Sequence, residues 1–119
     1  LAVSPRGACH NKSLAYEADM KGTVDRFQID EGRGKLVVEQ ENLAAVYDSL
    51  AICKFTRGCY DDFYGEAANL ASAVTGLQFS SDSLRSSGDR ICNIKKLFNV
   101  REGWFRDHDT LPARILNEP

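Results

Sequence analysis

The chain has 119 residues, 43% hydrophobic and 27% charged, with a formal net charge of −2. That length suits one domain with its own core, and the near-neutral charge excludes the basic excess that draws in nucleic acid or an anionic membrane surface. No apolar run approaches the roughly 20 residues of a membrane helix, and "LAVSPRGACH" lacks the long apolar region of a signal peptide.

In chain order, residues 1–12 read as a loop-like lead-in, broken by Pro5 and Gly7. A short helix is predicted over 13–20. The glycine-rich, charged stretch 21–36 reads as an irregular connection. A helix follows from about 38 to 50, because Leu43, Val46, Tyr47 and Leu50 fall at i, i+3, i+4 and i+7. Asp61 or Asp62 is placed to cap the next helix, whose apolar face is expected to be Phe63, Ala67, Leu70 and Val74. Gly76 stands at its left-handed stop. Ser81 or Asp82 is placed to cap another helix, with Leu84, Ile91, Ile94 and Phe98 along one side. Trp104 and Phe105 follow, then a polar turn. Pro112 marks either the end of regular structure or the first turn of a new element. Strand alternation is nearly absent, so the class is all-α: three to four helices plus a long irregular loop. Residues 1–36 are mostly loop and linker, and 37–119 are helical.

The four cysteines, Cys9, Cys53, Cys59 and Cys92, are scattered and include no Cys-x-x-Cys pair. A self-contained zinc site normally shows a close pair. A disulfide framework is not needed by a chain of this length and apolar content. Free thiols in a reducing, cytoplasmic setting are expected. Leu1 and the stop at "ILNEP" suggest a piece of a longer protein. On residue chemistry alone, Cys53 reads as a small buried hydrophobe, and His10, Arg6 and Lys12 as solvated side chains. Asp48 reads as a helix carboxylate mildly opposed by the dipole.

Three stretches go further: "SPRGACHNK" at 4–12, "YDSLAICKF" at 47–55 and "GDRICNIKKLFNVREGWFRDHDTLPARILNEP" at 88–119. In order and spacing, over nearly the whole chain, they resemble the C-terminal part of tungsten-containing aldehyde:ferredoxin oxidoreductases. The family pattern runs Arg-Gly-Gly-Cys-His, then Asp-x-x-Gly-Leu-Cys. A helix then ends Leu-Phe-Asn-x-(Arg/Lys)-x-Gly before Asp-Asp-Thr-Leu-Pro. This chain departs from it at Ala8 and Ala51, where the pattern has Gly, at Ile52 for Leu, and at His108 for Asp.

The resemblance implies a C-terminal helical domain of a tungstopterin (or molybdopterin) enzyme that also carries a [4Fe–4S] cluster. The other cluster ligands would belong to a middle domain. It implies that Cys53 is the fourth ligand of that cluster and that Asp48 accepts hydrogen bonds from a pterin. Ile52 and Lys54 would line the same pocket through their backbones. Arg6 and Lys12 would hold the anionic ends of the pterins, and His10 would pass a proton at the substrate. The implied activity is aldehyde oxidation to a carboxylic acid with ferredoxin as acceptor. The implied partners are the N-terminal and middle domains of the same protein, ferredoxin and the aldehyde, with no nucleic acid and no membrane. The isolated chain is expected to be inactive, to hold no cofactor, to expose an apolar surface and to leave the His10 loop poorly ordered. Cys9, Cys59 and Cys92 read as packing residues, Trp104 as core and His108 as surface. Two alternatives stand beside this reading: a stand-alone, non-catalytic helical interaction module, and a paralogue acting on another substrate such as an aromatic thioester.

Overall fold

The computed structural model describes residues 2–28 and 30–118. It is all-helical, with no strand among those residues. The elements are α1 (His10–Ser13), α2 (Tyr16–Met20), α3 (Gly32–Ser49), α4 (Phe63–Thr75), α5 (Ser81–Arg101) and α6 (Ala113–Asn117). Two 3-10 turns, Lys54–Cys59 and Arg106–His108, join them. The shortest dimension is 24 Å, about two helix diameters, so the helices form two layers. α3 packs chiefly on α5, with α1 against α3 and α4 against α5.

The core cluster is Val46, Tyr64, Ala67, Ala68 and Leu84, with Leu43, Leu50, Phe63 and Phe79 packed against it. Phe63 stacks on buried Tyr47 with ring centroids 3.9 Å apart, and Tyr60 meets Phe63 edge-on at 5.3 Å. Burying a side chain of this size is worth roughly 2–3 kcal/mol.

Several expectations need correction. α3 begins at Gly32, not near 38. Its first turn is held by groups outside the local pattern: Asp30 Oδ1 accepts from the Arg33 N–H at 3.1 Å, and the Arg33 guanidinium pairs with Asp19 at 2.5 Å. The predicted helix over 13–20 is two shorter pieces. Leu14 separates them at φ 39°, a conformation that a bulky residue adopts only under constraint; here Leu14 is buried. His10 opens a helical turn instead of lying in a loop.

The cap of α5 is Ser80, whose Oγ accepts from the Ser83 N–H while the Ser83 hydroxyl accepts from the Ser80 N–H. Asp62 occupies the cap position of α4 but makes no side-chain cap. Instead, Glu66 accepts from the backbone N–H groups of Asp61 and Asp62. Gly76 does end α4 in the left-handed conformation, at φ 75°. Pro112 precedes a new helix, α6. Trp104 lies at the surface, not in the core, and its indole N–H donates to Asp109 at 2.9 Å.

The apolar faces also differ. α4 buries Tyr64, Ala67, Ala68 and Ala71, whereas Leu70 and Val74 point outward. On α5, Leu84 and Gly88 are buried and Ile94 and Phe98 are exposed. Small residues on the buried side let helices approach closely. A Cβ on Gly88 would lie 2.6 Å from the Asn42 carbonyl oxygen of α3, so only glycine permits this crossing. Large apolar residues such as Phe55, Val74 and Leu97 are left exposed.

Gly88→Ala therefore sets about 1 kcal/mol of gained helix propensity against an overpacking cost of about 1–3 kcal/mol. The obstructing atom is backbone and cannot rotate away. A net destabilisation of about 1–2 kcal/mol is expected in denaturant unfolding; an unchanged or higher midpoint would contradict the close crossing.

Candidate functional site

Two segments far apart in sequence build the cleft. The first is residues 4–13. Gly7, at φ 84°, turns the chain back so that its N–H donates to the Ser4 carbonyl at 3.1 Å. α1 follows and packs on α3, anchored by buried Ser13 and Leu14.

The second segment is the exit from α3. The Ile52 N–H donates to the Tyr47 carbonyl at 3.0 Å and the Ala51 N–H to the Asp48 carbonyl at 3.3 Å. This is the paired closure of a Schellman stop. Its left-handed position belongs to Ala51, at φ 54°. An L-residue there costs about 1–2 kcal/mol relative to the right-handed region, which explains why a glycine suits this place in the Asp-x-x-Gly-Leu-Cys pattern. The stop delivers Cys53 to the start of the 3-10 turn, where its carbonyl accepts from the Thr56 N–H at 3.0 Å and the Thr56 hydroxyl at 2.7 Å. The backbone of Cys53 is thus fastened while its side chain is exposed.

Between the segments lies a cleft of about 450 Å³. Arg6, His10, Lys12, Asp48, Ile52, Cys53 and Lys54, all the residues singled out above, line it. Asp48 joins the two sides. The Lys12 ammonium donates to its Oδ2, and the Lys54 ammonium to its Oδ1 at 2.8 Å. Lys54 also donates to the Asn11 carbonyl at 2.6 Å. Partial burial pushes the Asp48 carboxyl up, but the hydrogen bonds and charges of Lys12 and Lys54 outweigh it and leave its pKa lowered. His10 meets Tyr16 edge-on, with ring centroids 6.2 Å apart.

Asn11, Tyr16, Phe55 and Arg57 complete the lining and are not evident from sequence. Arg57 donates to the Lys54 carbonyl at 2.8 Å and pairs with Glu17 of α2. Its place three residues after Lys54 in a 3-10 turn is the one signal that would have pointed to it.

The other cysteines differ. Arg6 donates from Nε and Nη2 to the Cys9 sulfur at 3.2 and 3.0 Å. Burial raises the Cys9 thiol, yet the Arg6 hydrogen bond and charge, with backbone N–H groups, bring its pKa down. Burial, with Glu41 and Asp89 nearby, pushes the Cys92 thiol up, which suits a packing role. Cys59 is exposed and does not line the cleft.

The donor set fits a shared cofactor site in part. Each Asp48 oxygen receives one lysine, and a carboxylate has about four acceptor positions, so capacity remains for further N–H donors. Among the described residues no group of three or more His, Cys, Asp or Glu is placed to hold a metal. Cys53 is the one cysteine that lines the cleft.

The class is thus an all-helical domain with a polar cleft joined across two distant segments. The family model described as "Aldehyde ferredoxin oxidoreductase, domains 2 & 3" matches residues 1–119. The chain is 35% identical to the tungsten-containing aldehyde ferredoxin oxidoreductase of Pyrococcus horikoshii and 33% identical to that of Pyrococcus abyssi, over 99% of this chain in both. The Pyrococcus furiosus protein of the same name is 33% identical, also over 99% of this chain. The chain spans 20% of the length of these relatives. No solved structure matches it. The chain belongs to the aldehyde ferredoxin oxidoreductase family, a family of oxidoreductases.

The Asp48 bridge has a pH signature. Because its carboxyl pKa is lowered from the ordinary 3.8, the bridge contributes stability above that value and loses it as pH falls through the lower folded value. Acidification from about pH 5 to about pH 2 should therefore shift the amide resonances of Asn11–Ser13, with a midpoint below the ordinary carboxylate range. Asp48→Asn should remove that transition. Persistence of the transition in the variant would assign it to another group.

Proposed function

We propose that the chain is the C-terminal helical domain of a cytoplasmic tungstopterin and iron–sulfur enzyme and forms one wall of its cofactor site. The full-length protein would convert an aldehyde and water to a carboxylate, releasing three protons and two electrons, with ferredoxin taking the electrons singly. The observation that supports this most is convergence. Seven residues named from two short motifs line the same cleft, although 35 residues of chain lie between Lys12 and Asp48.

The bound tungstopterin and [4Fe–4S] cluster supply the redox chemistry; this chain positions them and handles protons. Cys53 ligates the cluster as a thiolate carried on a fastened backbone. Asp48, pre-aligned by two lysines, accepts from pterin N–H groups. Lys12 and Arg6 offset the anionic charge of the cofactor, and the backbones of Ile52 and Lys54 close the pocket around the ligand. His10, exposed at the cleft, accepts and passes on a proton released at the substrate.

Cys53→Ser in the full-length protein should lower iron and sulfide content and change the cluster's electron-transfer spectra. Unchanged content and spectra would sink the ligand role. His10→Ala should lower turnover by about 10²–10⁴-fold with metal content intact. Full activity in that variant would remove His10 from the proton path.

A further inference from the structure

The cleft of the candidate site has a neighbour that shares its cations. Arg6 and Lys12 also line a second cleft, of about 490 Å³, with Pro5, Asn99 and the α5 residues Ile94, Lys95 and Phe98. The Asn99 side-chain amide donates to the Pro5 carbonyl at 2.6 Å, tying α5 to the lead-in segment.

The lining combines two chemistries. Three cations and no carboxylate face the space. Two of them are already engaged, Arg6 with the Cys9 sulfur and Lys12 with Asp48. Half-buried Lys95 has no ion-pair partner among the described residues. On either side of it in the helix, Ile94 and Phe98 are 57% and 53% exposed. The Arg101 guanidinium lies 4.9 Å from the Phe98 ring centroid, but its charge is paired with Glu102 at 3.0 Å, so Lys95 is the cation left to an incoming anion. A small inorganic anion would satisfy Lys95 and leave the apolar wall wet, whereas an anion with an apolar tail would use both.

We propose that this second cleft binds a monocarboxylate with an apolar tail, Lys95 holding the carboxylate while Ile94 and Phe98 cover the tail. The assignment rests on the proposed aldehyde oxidation, whose product is a carboxylate. It makes the cleft a product subsite beside the reacting centre, with Lys12 and Arg6 common to both. The charge complementarity selects the ionised acid over the uncharged aldehyde.

The test is amide-resonance titration of the isotope-labelled chain with octanoate, acetate and inorganic phosphate. Octanoate should shift the amides of residues 94–99 and bind about tenfold tighter than acetate. Lys95→Gln should weaken octanoate about fivefold while keeping the resonance dispersion of the parent. Phe98→Ser should erase the preference for octanoate over acetate but retain acetate binding. Equal octanoate affinity in Lys95→Gln would overturn the proposal. So would phosphate binding as tightly as octanoate at the same residues, or no shifts with octanoate. The titration contains neither iron nor tungsten, so its result stands apart from the iron count of Cys53→Ser.

Discussion

Two lysines from different parts of the chain converge on one carboxylate, and the cleft depends on that meeting. Asp48 lies in the last turn of α3, near the negative end of the helix dipole. Its own helix therefore disfavours the charge. Lys12, from α1, and Lys54, from beyond the helix stop, reverse the balance. Each contact is partly solvated and worth about 1 kcal/mol at most. Their importance is geometric: they hold the His10 segment against the Cys53 segment. A carboxylate held this way is also pre-aligned, so a ligand that needs its free lone pairs does not have to order the side chain first.

The backbone arrangement that makes this possible is the stop after Tyr47. The Schellman closure turns the chain in three residues and points Lys54 back over the end of α3. α5 ends in the same way: the Trp104 N–H bonds the Asn99 carbonyl at 2.8 Å, and Gly103 takes the left-handed position at φ 91°. At α3 that position holds Ala51 instead. The same geometry survives because the reciprocal hydrogen bonds and the lysine contacts oppose its local strain.

The sequence conveyed some of this and not the rest, for physical reasons. Helical periodicity located α4 and α5, since a 3.6-residue repeat survives whichever face is buried. It marked Phe63, Ala67 and Leu84 correctly but added Leu70, Val74, Ile94 and Phe98, which lie outside, because large apolar residues dominate such patterns. It passed over Ala68, Ala71 and Gly88, whose value is closeness and not hydrophobicity. The start of α3 was hidden because Gly32 and Gly34 read as breakers, while the groups that secure it, Asp30 and Asp19, lie outside the helix. The cleft residues were legible only through motif resemblance. Periodicity placed Asp48 on a helix, but nothing local says that Lys12 reaches it. Tyr16 and Arg57 carry no motif, so their place in the lining appears only once α2 and the 3-10 turn are packed together.

The four thiols show how surroundings separate residues of identical type. Cys92 is pushed toward the neutral thiol by burial and nearby carboxylates. Cys9 is drawn toward the thiolate, but its sulfur already receives two Arg6 hydrogen bonds. Cys59 is exposed at the far end of its turn and away from the cleft lining. Cys53 alone combines an exposed side chain, a place in the cleft lining and a backbone fixed on both sides: the helix stop before it and the Thr56 bonds to its carbonyl after it. A metal ligand is favoured by that combination, because the entropy of placing the sulfur is largely spent in folding while the sulfur itself stays accessible. Seen this way, the residues between Asp48 and Thr56 are one device, in which a helix end aligns an acceptor and its stop presents a thiol a few residues later.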